Sequence, residues 1–129
     1  MYSYLRFARE RLFEYDYVSR IKWDKHKNIS NETARLDAVL AEHPLAVKIW
    51  GVIQQQVKRW EEIEKLAQDQ KHLEEKYKYS DSKKKKKRIA LAFEKIDQTI
   101  NDLSNRDAQL FGQERDKIHM WYVEEYLHT

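Results

Sequence analysis

Tyr77-Lys78-Tyr79-Ser80-Asp81-Ser82-Lys83-Lys84-Lys85-Lys86-Lys87-Arg88 is the stretch that decides the fold. Ser80, Asp81 and Ser82 interrupt a chain that otherwise reads as helix on both sides. Upstream, Ile49, Ile53, Trp60, Ile63, Leu73 and Tyr77 recur at threes, fours and their multiples. That is the spacing of one helical face. Downstream, Ile89, Phe93, Ile96, Ile100 and Leu103 alternate steps of four and three, a short heptad seam. A connection this short makes the two helices antiparallel neighbours. The pattern therefore predicts a long helix over 45–79 and a second over 83–127, interruptible near 104–112 at Ser104-Asn105 and Gly112. At 1.5 Å per residue the first is a rod of roughly 50 Å.

Outward from this hairpin, Pro44 suits the first turn of a helix, where its missing N–H costs nothing. Ser30 or Asn31 can cap a short helix over 32–43 that carries Leu36, Val39 and Leu40 inward. Lys27–Asn31 is a loop. Residues 2–26 form the first helix, with Leu5, Ala8, Leu12 and Tyr15 on one stripe that shifts to Val18 and Ile21, which allows a kink or break near Asp16. Its aromatic load (Tyr2, Tyr4, Phe7, Phe13, Tyr15, Tyr17, Trp23) surrounds the axis, as in a helix with more than one neighbour. The expectation is an all-α fold: a small elongated helical bundle built on a long antiparallel helical hairpin, with residues 1–129 as one domain.

Composition agrees. Two Gly and one Pro in 129 residues leave too little punctuation for an all-β chain. No apolar run approaches the roughly 18 residues of a membrane span, and the N-terminus does not read as a signal peptide. The absence of Cys removes disulfide scaffolds and thiol chemistry and favours a reducing compartment. The expected location is intracellular, in the cytoplasm.

The net charge of +3 and the pI near 9.0 are local properties. Residues 80–88 carry six basic side chains and one acidic, and the rest of the chain nets −2. Clustered charge is what an anionic polymer reads. Lys83, Lys84, Lys85, Lys86, Lys87 and Arg88 sit where the helix dipole favours anions, so helix stability does not explain them. They are the candidate anion or nucleic-acid contact, against the alternative of a solvated turn. A second basic group, Arg6, Arg9, Arg11, Arg20, Lys22, Lys25 and Lys27, is interleaved with aromatics that can stack on bases. Its pairs Arg6–Glu10 and Arg20–Asp24 at i,i+4 favour a solvated face instead.

Catalytic signatures are missing. No Gly-x-Ser-x-Gly elbow, phosphate-cradling glycine loop or His-Glu-x-x-His motif occurs. Glu125-x-x-His128 fits the di-iron helix motif once, without the second copy a bundle site needs, so no metal is expected. Glu61-Glu62-x-Glu64 and Glu74-Glu75 lie among lysines at helical spacing and read as solvated faces. The expectation is a non-enzyme with no cofactor and no small-molecule substrate. Trp121, Tyr122, Met120, Tyr4 and Phe7 are the candidate protein contacts, because aromatic side chains dominate binding hot spots. The reading is a non-catalytic interaction protein, an assembly subunit or small regulator that binds a protein partner or itself. Its alternative is a nucleic-acid-binding accessory protein using 83–88. A membrane-surface role lacks an apolar anchor beside the basic run.

Overall fold

A computed structural model describes residues Tyr2–Leu127, with side chains from Tyr4 onward. Every regular element among them is helical: α1 Tyr2–Tyr15, α2 Tyr17–Lys25, α3 Glu32–Glu42, α4 Pro44–Tyr79 and α5 Lys83–Tyr126. The fold is all-α, a helical bundle built on the antiparallel α4–α5 hairpin. No described helix is long and apolar enough to cross a membrane.

The stretch expected to be helical over 2–26 breaks at Asp16, where its apolar stripe shifts, into two helices. Asp16 takes an extended backbone (φ −143°, ψ 98°), and its carboxylate accepts the Val18 N–H at 3.2 Å, capping α2. An Asp that satisfies an orphan helix-start donor competes with helix continuation, and here the cap wins. Asn31 does the same for α3, accepting the Ala34 N–H at 3.0 Å. Pro44 is the first residue of α4. By contrast, α5 runs unbroken through Ser104, Asn105 and Gly112. Ser104 and Asn105 are exposed, so their side chains meet water, while Leu103, Leu110 and Phe111 are half-buried. The cost of about 1 kcal/mol for a helical glycine is too small to break such a helix.

Two compact units share the chain: residues 1–57 with 111–129, and Lys58–Leu110. The first, the multi-helix unit, holds α1, α2, α3, the start of α4 and the end of α5. Its core is Ala8, Leu12, Trp23, Leu36, Val39, Leu45, Ala46, Ile49, Ile53 and Ile118, all buried. Two guanidinium groups lie over the Trp23 ring, Arg9 at 4.6 Å and Arg35 at 4.2 Å. Arg35 also donates to the Trp23 carbonyl from Nε (2.9 Å) and one terminal nitrogen (2.6 Å).

The second, the hairpin unit, is α4 and α5 alone. Its half-buried positions are Arg59, Ile63, Leu66, Gln70 and Leu73 on α4, and Lys86, Ile89, Phe93, Ile96, Ile100, Leu103, Asp107 and Leu110 on α5. Both rows step by three and four, so the heptad reaches further than its apolar members. Arg59 and Asp107 meet across the seam at 2.7 Å, Gln70 donates to Asp97 at 3.2 Å, and Lys86 covers the Tyr77 ring at 5.3 Å. These pairs advance along α4 as they retreat along α5, as antiparallel register requires. Polar pairs at a seam fix register at some cost in stability. Trp60 and Tyr77, expected on the inward stripe, are exposed, because the seam row begins at Arg59 and Trp60 stands one residue (100°) off it. Tyr77 continues the row at its open end, where Lys86 gives it only partial cover.

Candidate functional site

The sequence places its chemistry at the loop end of the hairpin unit. Ser82 opens α5 by accepting the Lys85 N–H on its hydroxyl at 3.3 Å, and its carbonyl accepts the Lys86 N–H at 2.9 Å. No carboxylate stands in the first turn of α5. Six consecutive residues advance 100° each and so wrap the helix rather than line one face. Lys86 turns toward α4 and Tyr77. Lys84 and Arg88 then lie opposite it, Lys83 and Lys87 on one flank, and Lys85 on the other. All but Lys86 are exposed, and among the described residues none of the six has an ion-pair partner.

The aromatic candidates fare differently. Trp121 packs against the core of the multi-helix unit, with the ammonium groups of Lys117 and Lys48 at 5.2 and 5.7 Å from its ring. Tyr122 is half-buried and edge-on to Tyr126 at 4.6 Å. Arg11 lies over Phe7 at 5.0 Å and over Phe111 at 4.7 Å, and Tyr4 is half-buried. Met120 alone of the five stands mostly in solvent, at 62% exposure. The basic group of the first helices is partly consumed in the same way. Glu10 pairs with Arg9 at 3.3 Å rather than with Arg6, because Trp23 and Glu32 (3.2 Å) already hold the Arg9 guanidinium nearby.

Sequence reading missed a buried polar cluster in the multi-helix unit. Asp16 and Ser19 are fully buried and His43 nearly so. The Asp16 carboxylate takes the Ser19 hydroxyl at 2.7 Å and His43 Nε2 at 2.7 Å on one oxygen. On the other it takes the Val18 N–H and the Tyr126 hydroxyl, each at 3.2 Å. The Tyr126 oxygen also lies 2.6 Å from His43 Nε2. One proton assignment satisfies all these contacts: Nε2–H donates to Asp16 and is shared with the Tyr126 oxygen, while Tyr126 donates to Asp16. The local signal was Asp16 three residues before Ser19; His43 and Tyr126 come from distant helices.

Chemically this cluster holds rather than activates. Ser19 gives its proton to the carboxylate and has no imidazole against it, the reverse of a nucleophile–base pair. Burial also closes it to substrate. Desolvation, together with the adjacent Asp16 carboxylate that accepts its hydrogen bond, pushes the Tyr126 hydroxyl well above the usual tyrosine value. The unfolded chain ionises this group near pH 10 while the folded one keeps its proton. The stability it contributes is therefore intact below about pH 10 and falls as pH rises toward the folded value. Chemical denaturation across an alkaline series should show this loss in the wild type. Tyr126→Phe, less stable at neutral pH, should lose less stability over the same interval.

His128, half of the Glu-x-x-His motif, lies outside the described residues. Among the described residues no three His, Asp or Glu side chains stand close enough to share a metal ion. In the hairpin unit an open groove of about 900 Å³ is lined by Leu73, Ala92 and Ile96 together with Asp69, His72, Glu75, Lys76 and Tyr79.

No family model, curated protein or solved structure matches this chain.

Proposed function

We propose that this protein is a non-catalytic helical interaction protein whose hairpin unit binds a protein partner, and that a second copy of the chain is the partner it fits. One observation carries this reading. No described side chain of Lys58–Leu110 is fully buried, although that unit repeats apolar residues over five heptad layers on α5. Two helices alone leave such a seam open on both sides, and four close it. A second copy supplies two helices of matching period. The groove lining is also self-complementary: a two-fold pairing can set Asp69 and Glu75 of one copy against Lys76 of the other.

Sedimentation velocity over a concentration series tests this. The expected result is a mass that climbs from monomer to dimer. Ala92→Glu, an exposed change in the groove lining, should hold the protein monomeric with its helical circular dichroism intact. A wild type that stays monomeric at every concentration overturns the second copy as partner.

A further inference from the structure

We infer that the loop end of the hairpin unit is a binding surface for single-stranded nucleic acid, sequence-independent, in which exposed cations hold the phosphates and Tyr79 stacks on a base. Residues 71–88 carry nine basic and three acidic side chains. With Lys86 turned to Tyr77, the outward stripe of α5 runs Lys84, Arg88, Leu91 and Lys95, all exposed, over about 16 Å at 1.5 Å per residue. Tyr79, the last residue of α4, lines the groove yet is 79% exposed, and only Ser80-Asp81-Ser82 separate it from Lys83. Cations that track a backbone plus an aromatic platform are the two parts of single-strand recognition.

The arrangement also separates the polyanions. The cations surround the end of α5, so the surface is convex. A rigid duplex, itself convex, meets it at few points, whereas a flexible strand can follow it from Lys83 round to Arg88. Five of the six clustered cations are lysine, a point charge without the fork that reads base edges, which suits phosphate contact without sequence preference.

The test is fluorescence anisotropy with a labelled oligo-deoxythymidine. The comparisons are a duplex of equal length and vesicles of phosphatidylserine in phosphatidylcholine. Binding should favour the single strand and weaken with salt. The triple variant Lys84→Gln, Lys87→Gln, Arg88→Gln should bind far more weakly, with a log–log salt slope shallower by about 2, since each phosphate contact contributes about 0.7. Those substitutions remove cations from a helix start, where they oppose the dipole, so lost folding cannot explain lost binding. Tyr79→Ala should weaken the single strand about tenfold and leave the duplex unchanged. Equal affinity for duplex, indifference to Tyr79→Ala, binding to vesicles alone, or no binding to the oligonucleotide would each overturn the inference.

Discussion

Asp16→Ala should lower the unfolding free energy by about 3–5 kcal/mol, because buried polar groups lose their shared acceptor and α2 loses its cap. That is a large share of the roughly 5–15 kcal/mol a natural domain possesses. The size follows from what remains. Ser19 stays buried with a hydroxyl that loses its acceptor, and His43 and Tyr126 each lose one of two contacts. Each stranded buried group costs about 1–3 kcal/mol. The lost cap of α2 adds about 1 kcal/mol. Asp16→Asn separates these terms, because Asn caps a helix as well as Asp does but carries no charge and turns one donor face toward donors. Urea unfolding of both variants, read by circular dichroism, measures the difference. A loss of only about 1 kcal/mol in Asp16→Ala would mean that the carboxylate caps a helix and does nothing more.

Ile49→Ala should cost about 2–5 kcal/mol, since a fully buried isoleucine leaves both a transfer loss and a cavity. Ile49 sits on α4 in the core of the multi-helix unit, where neighbours on all sides limit collapse into the gap. The same change at Ile96, half-buried on the hairpin seam, should cost clearly less in dilute protein. If a second copy covers that seam, the Ile96→Ala penalty should grow with protein concentration while the Ile49→Ala penalty stays constant. Urea midpoints at low and high concentration give both numbers. An Ile96→Ala cost that does not depend on concentration argues against the covered seam.

Local signals were the legible ones. Asn31 and Pro44 marked helix starts because a cap acts within one turn. The hairpin was readable because Ser80–Ser82 breaks a pattern that resumes in heptads, and period is a property of the chain itself. Extending the seam to Lys86 and Asp107 was harder, since polar members hide a heptad from any search by hydropathy. Trp60 was misplaced for a related reason: its neighbour Arg59 occupies the seam to reach Asp107, a choice visible only with both helices present. The split at Asp16 showed in sequence as a shift of stripe, but its partners His43 and Tyr126 did not. Nothing near residue 16 announces a side chain 110 positions away. For the candidate surfaces, the lysine run was plain in the sequence, while Tyr79 beside it gained meaning only from its exposure.

That 110-residue span has a consequence for how the chain is made. The multi-helix unit is assembled from residues 1–57 and 111–129, so its first three helices leave the ribosome long before Tyr126 and Ile118 exist to complete them. Until then the Asp16 carboxylate, with Leu12 and Ile49 around it, must wait in a partly open intermediate. The hairpin unit faces no such delay, because its partners lie on either side of one short loop and local contacts form fast. Synthesis therefore runs from an unfinished start, through a middle whose contacts are local, to a last helical segment that closes the first. A pause or truncation before Phe111 would strand the apolar N-terminal helices in the state most open to aggregation.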